Sequence, residues 1–201
     1  MKIICIGRNY AEHISELQNE KPSEPVVFLK PDTALHKENE FYIPDFSEDV
    51  HHEIEVVVKI AKVGKYIDSR FAHKYYNEVS LGIDFTARDL QQKLKAQGLP
   101  WEKAKAFDSS AFVGEFVNKD NIDLTNVNFE LHKNNVVQQK GNTADMLWNI
   151  DQIIAYVSKY FTLKVGDLIF TGTPQGVSRI NTGDLLEGFL EQEKLFQLKI
   201  K

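Results

Sequence analysis

The hydrophobic and polar residues of the chain alternate in several short runs, a pattern that is typical of β-strands. An apolar strand from Lys2 to Ile6 ends at Gly7 and opens the chain. Four further segments read as strands: PVVFLK (25–30), VSLGIDFTA (79–87), DLIFTGTP (167–174) and LLEGFLEQEKLFQLKI (185–200). The segment NFELHKNNVVQQKG (128–141) predicts a hairpin that turns at Asn134 and Asn135, because Asn tolerates positive φ.

Fewer segments have helical spacing. We expect a short helix over Ala11 to Leu17 with Asn9 as its cap, and a helical patch within SRFAHKYYNE (69–78). The segment RDLQQKLKAQG (88–98) predicts a helix that ends at Gly98, and NIDQIIAYVSKYF (149–161) predicts one that Asn149 caps. Residues 31–45 are polar and rich in turn formers, which favours an ordered excursion with little regular structure. Strands outnumber helices, so the pattern predicts an α+β domain dominated by sheet.

One predicted strand, VHHEIEVVVKI (50–60), carries two acids among apolar residues. Since successive side chains of a strand point to opposite faces, Glu53 and Glu55 lie side by side on the face that Val57 shares. If this face is exposed to solvent, the two carboxylates are an ordinary polar surface. If the strand is covered on both sides, they need a cation, because an unpaired buried charge costs several kcal/mol.

Composition limits the class of protein. With 201 residues, of which 42% are hydrophobic and 26% are charged, the chain fits one domain over residues 1–201. The net charge of -5 gives no reason to expect nucleic acid as a partner. The single cysteine, Cys5, lies in an apolar run and predicts a buried thiol in a reducing cytoplasm. No apolar run approaches the roughly 20 residues that span a bilayer, and we expect neither a membrane segment nor a signal peptide.

Several polar residues are candidates for chemistry. Asp84, at the end of an apolar strand, could join Glu53 and Glu55 in an oxygen site for Mg²⁺ or Mn²⁺, or it could cap the following helix. His13 and Glu16, three residues apart on a helix, could form an oriented general base or a solvated surface pair.

Lysines and histidines add weaker signals. Lys30 and Lys105 stand beside apolar residues, where a buried ammonium could stabilise an oxyanion, although a lysine that extends to solvent is commoner. TGTPQG (171–176) could form a tight loop near a carboxylate ligand or simply a turn. His51 and His52 point to opposite faces, so we interpret them as packing residues or as residues that support the metal ligands, and not as ligands of one metal.

Six motifs occur in a fixed order along nearly the whole chain: GRNYAEH, PVVFLKPDTAL, HHEIE, IDFTARDLQ, GLPWEKAKAFD and GDLIFTGTPQGV. Together they closely resemble the fumarylacetoacetate hydrolase family, specifically its short, acylpyruvase-like members. The resemblance implies the family's mixed β-roll with flanking helices, usually as a homodimer. It also implies three sets of site residues: Glu53, Glu55 and Asp84 for Mg²⁺ or Mn²⁺, His13, Glu16 and Lys105 for catalysis, and Arg88, Gln91 and Thr173 for substrate binding.

The function implied by this resemblance is hydrolysis of a carbon–carbon bond in acylpyruvate-type 2,4-dioxo acids through a metal-bound enolate. The same enolate would serve an oxaloacetate decarboxylase or tautomerase, or a 2-hydroxyhepta-2,4-diene-1,7-dioate isomerase. A non-catalytic, metal-stabilised module that binds dicarboxylates is the alternative outside enzymes, but it would not need His13 and Glu16.

Two departures from the family pattern are Ala106, where relatives commonly have Ser, and Ser178, where they have Gly. We expect both near the substrate pocket. We also expect the polar, Pro-bounded segment from Asn9 to Glu24 to act as a lid over bound ligand.

Overall fold

The computed structural model describes residues 1–16 and 20–201. These residues form sixteen strands: β1 Ile3–Gly7, β2 Val26–Lys30, β3 Leu35–His36, β4 Glu40–Phe41, β5 Val50–His52, β6 Ile54–Ile60, β7 Tyr76–Asp84, β8 Thr86–Ala87, β9 Ala111–Val113, β10 Val117–Asn118, β11 Asn128–Lys133, β12 Val136–Asn142, β13 Leu168–Phe170, β14 Ser178–Arg179, β15 Leu185–Leu190 and β16 Glu193–Ile200. The α-helices of the described residues are α1 Ala11–Glu16, α2 Ser69–Ala72, α3 Arg88–Ala96, α4 Glu102–Lys105 and α5 Ile150–Tyr160. The α+β class predicted from the sequence is confirmed.

The strands form three sheets. The largest has eight strands in the order β2-β1-β13-β6-β7-β9-β3, with β10 also paired to β7. A second sheet has the order β12-β11-β15-β16-β4, and a third has the order β14-β5-β8. Most pairs are antiparallel, but β1 with β13, β3 with β9 and β16 with β4 are parallel. The small third sheet adjoins the large sheet at the point where β6 begins and β7 ends. The acidic residues lie close together at this point.

Both faces of the large sheet are covered. Alternate residues of β6, such as Val56 and Val58, pack in the main core together with residues of the second sheet and of α5. Val57 points the other way, into a smaller cluster that includes Cys5, Ala34 and Phe170. Cys5 is fully buried, as the sequence predicts. Since Glu55 shares the face of Val57, it lies under the smaller cluster and not in solvent.

Most predicted elements are present, but several of them begin or end at other residues than the sequence pattern predicts. Residues 50–60 are not one strand, because the chain leaves the third sheet after His52 and enters the large sheet at Ile54. The helical patch at 69–78 is limited to α2, since residues from Tyr76 onward belong to β7. The excursion at 31–45 contains a 3₁₀ turn at Asp32–Ala34 and the short strands β3 and β4.

Predicted turns and helix caps are confirmed where residues close together in sequence determine them. Asn134 and Asn135 have φ of 55° and 65° and turn the β11–β12 hairpin. Asn149 caps α5 through a capping box with Gln152. The prediction for Asn9 is wrong, because its side chain bonds the Trp148 and Thr171 backbone instead of capping α1. None of the described helices is long and apolar enough to cross a membrane.

Candidate metal centre and active site

Two neighbouring strands bring the three predicted metal ligands together. The β6–β7 pairing runs out at Ile54 opposite Ile83, and the residues just beyond that pair are Glu53 and Asp84. The Asp84 backbone N–H donates to the Glu53 carbonyl at 2.9 Å. Glu55 stands two residues along β6 on the same face as Glu53. Strand geometry therefore places all three carboxylates on one side of the sheet.

The three carboxylates form a buried acidic cluster. The relative exposures of Glu53, Glu55 and Asp84 are 5%, 2% and 0%, and one oxygen of each lies within 4.8 Å of the others. Carboxylate oxygens at this spacing are the donors that Mg²⁺ and Mn²⁺ prefer. The cluster is therefore a candidate site for a divalent metal, and the solvent-face reading of Glu53 and Glu55 is wrong.

Buried cations surround two of the three acids. Lys105 Nζ donates to Glu53 Oε2 and Asp84 Oδ2, both at 2.8 Å, while Arg88 donates to Glu53 Oε1. Burial alone would raise the pKa of Glu53, but Lys105 and Arg88 outweigh it and hold this pKa well below its usual range. Burial alone would likewise lower the pKa of Lys105, but Asp84 and Glu53 raise it. These groups are therefore charged together.

Lys30 completes the cation set on the far side of Asp84. Its Nζ lies 2.7 Å from Asp84 Oδ1 and donates to the Ser110 carbonyl at 2.9 Å. Lys30 and Lys105 are almost fully buried, so neither extends to solvent. The helix-cap reading of Asp84 is also wrong, because Ala87 holds the cap position of α3 and makes no side-chain cap bond.

Glu55 differs from the other two acids. In the described part of the chain no salt bridge joins it to a cation, and its Oε2 accepts the Gly172 backbone N–H at 2.7 Å. Burial, Asp84 and Glu53 together raise the pKa of Glu55 well above its usual range. A carboxylate that faces two others without a cation of its own fits a site that a divalent ion completes.

Gly172 must be a glycine at this position. Its φ of +102° lies in the region that favours glycine, and a Cβ added to it would come within 2.7 Å of Asn9 Cβ. Of the two readings of TGTPQG, the structure therefore favours a loop that approaches a carboxylate, here that of Glu55, through a backbone N–H.

The pair of His13 and Glu16 is formed on α1. His13 Nδ1 lies 3.0 Å from Glu16 Oε2, and Glu16 Oε1 accepts the Gly176 backbone N–H at 3.0 Å. His13 is buried and lines the same cavity as the acidic cluster. The reading of a solvated surface pair is therefore wrong for His13, although Glu16 keeps a partly exposed side chain.

Eight of the nine predicted site residues line this one cavity. The exception is Glu16, which reaches the cavity through His13. Arg88 Nη1 donates to Gln91 Oε1 at 2.6 Å, so the two predicted substrate-binding residues of α3 orient each other. The third, Thr173, has its hydroxyl oxygen 2.8 Å from Gln139 Nε2, which donates to it.

Sequence reasoning missed some residues that shape the cavity. Arg8, Phe28 and Trp101 also line it. They lie in the motifs GRNYAEH, PVVFLKPDTAL and GLPWEKAKAFD, so each motif could have suggested a role for the residue it contains. Gln139 lies outside the cavity lining but links Thr173 to the Ile54 N–H, and a hairpin glutamine gave no signal of this.

His52 and Ser178 belong to the support of the site. The His52 Nδ1–H donates to Gln139 at 2.9 Å, and Nε2 lies 2.8 Å from the Ser178 hydroxyl. Burial lowers the pKa of His52 to about 4, so the ring is neutral. Ser178 also accepts from Lys133. Neither Ser178 nor Ala106 lines the cavity, but Ala106 directly follows Lys105, which does.

The family described as fumarylacetoacetate (FAA) hydrolase C-terminal matches residues 2–198 of the chain. The chain belongs to the fumarylacetoacetate hydrolase family. It is 42% identical over 201 residues to "Oxaloacetate tautomerase FAHD1, mitochondrial" from Mus musculus, which covers 99% of this chain and 91% of that protein. It is 42% identical over 189 residues to "Oxaloacetate decarboxylase, mitochondrial" from Dictyostelium discoideum, with 92% of this chain and 87% of that protein covered.

Solved structures of the fumarylacetoacetate hydrolase family have the same fold. The fumarylpyruvate hydrolase from Pseudomonas aeruginosa, in complex with Mn²⁺ and pyruvate, superposes with a TM-score of 0.94 and 30% sequence identity, covering 100% of this chain and 89% of that one. The family fold predicted from the motifs is thereby confirmed. The predicted lid, Asn9 to Glu24, includes residues 17–19, which lie outside the described residues, and it stays a prediction.

Proposed function

We propose that this protein is a divalent-metal-dependent enzyme that cleaves a carbon–carbon bond in acylpyruvate-type 2,4-dioxo acids by hydrolysis. The observation that carries the proposal is the His13–Glu16 pair, at 3.0 Å, because His13 lines the same cavity as the acidic cluster. A module that only binds dicarboxylates has no use for an oriented imidazole. We therefore assign the cavity to catalysis.

Glu53, Glu55 and Asp84 would hold the ion, which we take to be Mg²⁺ or Mn²⁺. When bound, such an ion would polarise the 2-oxo group as a Lewis acid and favour the enolate over the ketone. The Mn²⁺ and pyruvate in the Pseudomonas aeruginosa relative support both the metal and the substrate class.

The base for hydrolysis would be His13. Its Nδ1 is held by Glu16, and Glu16 is in turn fixed by the Gly176 N–H, so the ring presents Nε2 to the cavity in one orientation. Nε2 would take a proton from water as that water attacks the carbonyl remote from the 2-oxo acid group. Glu16 would stabilise the imidazolium that results. The carbon–carbon bond next to the attacked carbonyl would then break, releasing a carboxylic acid and the enolate of the 2-oxo acid, and the imidazolium would return its proton to that enolate.

Lys105 would stabilise negative charge that develops on the substrate oxygen, because its buried ammonium lies at the cavity wall. Arg88 and Thr173 would bind the substrate carboxylate, each held in place by a glutamine. Gln91 would thus act both as a cavity residue and as the orienting partner of Arg88.

Oxaloacetate tautomerisation or decarboxylation is the second candidate. It is favoured by the names of the relatives from Mus musculus and Dictyostelium discoideum, which match nearly the whole chain. Tautomerisation needs a group that moves a proton at the carbon next to the 2-oxo group, and His13 is placed for that step as well. Isomerisation of a 2-hydroxydienedioate would draw on the same residues.

The organisation of the protein is part of the proposal. We propose a single catalytic domain over residues 1–201 that acts as a homodimer in the cytoplasm. The family match over residues 2–198 supports the single domain. Light scattering of the purified protein tests the dimer.

A substrate panel tests the function. Acylpyruvates, oxaloacetate and 2-hydroxydienedioates are assayed with Mg²⁺ on the wild type, His13→Ala and, as a matched control on the exposed surface, His73→Ala. We expect acylpyruvate cleavage to fall about 10²-fold or more in His13→Ala, in line with the loss of a general base, and to be unchanged in His73→Ala. Turnover of oxaloacetate without any acylpyruvate cleavage would put the second candidate first.

A further inference from the structure

Arg8 holds an unusual backbone conformation at the edge of the cavity. It follows Gly7 at the end of β1, and its φ is +59°, in the left-handed region that non-glycine residues enter at a cost of about 1–2 kcal/mol. The next residue, Asn9, is fully buried and is fixed by hydrogen bonds of 2.7–3.0 Å to the backbone of Trp148 and Thr171. The surrounding structure thus holds the strained residue in place.

The side chain of Arg8 lines the cavity, where it is half-buried. Within residues 1–16 and 20–201 its guanidinium has no hydrogen-bond or ion-pair partner. The other arginine of the cavity, Arg88, and Lys105 both contact Glu53. A half-buried guanidinium without an anion, beside cations that have theirs, is suited to bind an anionic part of a ligand.

The charges at the centre already balance without Arg8. The cluster has three carboxylates, and three buried cations, Lys30, Lys105 and Arg88, pair with two of them and equal all three in number. Addition of a divalent ion brings two positive charges, which the carboxylate and the enolate oxygen of a 2-oxo acid would neutralise. The charge of Arg8 is then left over, and a second carboxylate on the substrate would compensate it.

Arg8 lies close enough to Lys95, another residue of the cavity, to act on it electrostatically. Burial, Arg8 and Arg88 together lower the pKa of Lys95, which also lines the cavity. Arg8, Arg88 and Lys95 therefore bring positive charge to the lining of the cavity that also holds the acidic cluster.

We propose that Arg8 binds a second carboxylate, at the end of the substrate remote from the 2-oxo acid group, and so selects dianionic substrates over those with a neutral tail. The inference rests on the proposed function, and it names the substrate class: diacids such as oxaloacetate or an acylpyruvate that ends in a carboxylate. Arg8 is a specificity-determining residue in this scheme and takes no part in bond cleavage.

An apolar groove beside the cavity would instead favour a substrate whose tail is apolar. It has a volume of about 560 Å³, adjoins the cavity at Phe28 and Trp101, and is lined mainly by apolar residues such as Leu29 and Leu99. A substrate with an apolar tail would place that tail there. The charge left over at Arg8 favours the diacid. The binding of ligands with a charged tail and with an apolar tail can be compared directly.

Binding is measured first, with two stable 2-oxo acids of equal chain length. Isothermal titration with Mg²⁺ present compares 2-oxoglutarate, which has a distal carboxylate, with 2-oxopentanoate, which does not. We expect the wild type to prefer 2-oxoglutarate about tenfold or more, and Arg8→Gln to weaken 2-oxoglutarate binding by about 10- to 100-fold, the range of a charge-assisted hydrogen bond. Binding of 2-oxopentanoate should stay the same, and Arg8→Lys should keep part of the preference.

The control is Arg70→Gln, which removes an exposed arginine whose ion pair with Asp68 lies on the surface. Since Gln is no worse than Arg in the left-handed region, Arg8→Gln should fold as the wild type does. A wild type without the preference, or an Arg8→Gln variant that weakens both ligands equally, would overturn the proposal.

Turnover separates this inference from the proposed function. Oxaloacetate and 2,4-dioxopentanoate are compared as substrates, and in Arg8→Gln we expect KM for oxaloacetate to rise about 10-fold or more while kcat/KM for 2,4-dioxopentanoate is retained. If the wild type binds 2-oxoglutarate preferentially but turns over neither substrate, the function is wrong and Arg8 still binds a carboxylate. If it turns over both without discrimination, the role of Arg8 is wrong and the function stands.

Discussion

Asp84 lies directly opposite Glu53 on the neighbouring strand, with its backbone N–H bonded to the Glu53 carbonyl at 2.9 Å. Their carboxylates are close enough for a single ammonium, that of Lys105, to lie 2.8 Å from an oxygen of each. Two buried charges of the same sign would repel strongly at such a distance, so their environment must supply positive charge. Buried lysines supply part of this positive charge, and we expect a divalent ion beside Glu55 to supply the remainder.

The first prediction concerns that ion. Asp84→Asn and Glu55→Gln remove one charge each while they keep the side-chain size, and Mn²⁺ binding should weaken at least about tenfold in both, because Mn²⁺ prefers charged oxygen ligands. Binding is measured by isothermal titration and by the decrease of the free Mn²⁺ signal in electron paramagnetic resonance.

Glu78→Gln is the matched control, since Glu78 lies on the same strand as Asp84 but pairs with Lys59 at the surface. Crystals soaked in Mn²⁺ should show an anomalous peak within about 2.5 Å of Glu53, Glu55 and Asp84. A peak at other residues, or unchanged affinity in both variants, would show that the cluster is not the metal site.

The second prediction concerns stability. Lys30→Met keeps the length of the side chain but leaves Asp84 and the Ser110 carbonyl without this buried cation. Removal of one partner from a buried ion pair costs about 3–5 kcal/mol of the free energy of unfolding. Lys59→Met breaks an exposed pair with Glu78 and should cost less than about 1 kcal/mol. Urea denaturation of the two variants and the wild type measures both, and equal losses would mean that the buried pair adds nothing.

Local patterns explain why so much of the fold could be predicted. The helix α5 and the β11–β12 hairpin follow from short-range chemistry, namely the Asn149–Gln152 capping box and two asparagines that accept positive φ. The order of six motifs identified the family and hence the candidate site.

Long-range contacts explain what could not be predicted. The break at Glu53 depends on β5 pairing with β14, which lies more than a hundred residues away in sequence. The burial of Lys30 depends on Ser110, which lies 80 residues away in sequence and accepts hydrogen bonds from the Lys30 ammonium. Asn9 looked like a helix cap because nothing near it in sequence shows that Trp148 would engage its side chain. Alternation predicts which residues share a face, but not what covers that face.

The third prediction tests the loop that approaches Glu55. Gly172→Ala adds a Cβ at φ +102° that would meet Asn9 Cβ at 2.7 Å, whereas Gly183→Ala adds one at φ +97° with nothing within 4 Å. Both carry the strain of the positive φ, about 1–3 kcal/mol, but only Gly172→Ala adds an overlap that costs a further 1–3 kcal/mol or so. Thermal unfolding measures the difference, and Mn²⁺ affinity should fall only in Gly172→Ala. Equal effects of the two changes would mean that the approach of Gly172 is not tight.

The fourth prediction concerns the support of Thr173. Gln139 accepts the Ile54 N–H at 3.0 Å and donates to the Thr173 hydroxyl at 2.8 Å, so Gln139→Leu leaves buried polar groups unpaired and frees Thr173 to rotate. We expect a loss of about 1–3 kcal/mol in the free energy of unfolding. Oxalate binding with Mg²⁺ should also weaken, because Thr173 lines the cavity. Gln138→Leu, one residue earlier and less buried, serves as the control, and oxalate affinity that is unchanged in Gln139→Leu would contradict a positioning role.

The last prediction distinguishes the base from its orienting group on α1. Glu16→Gln keeps a side chain that still reaches His13 but removes the negative charge that would stabilise an imidazolium. Acylpyruvate cleavage should therefore fall by about tenfold, less than the roughly 10²-fold expected for His13→Ala, because the imidazole itself remains. The change should appear in kcat and not in KM, since Glu16 does not line the cavity. Glu12→Gln, an exposed acid on the same helix, should leave both constants unchanged and so controls for the lost charge. If Glu16→Gln left cleavage unchanged, the imidazole would not need the Glu16 charge, and the orienting role proposed for Glu16 would be wrong.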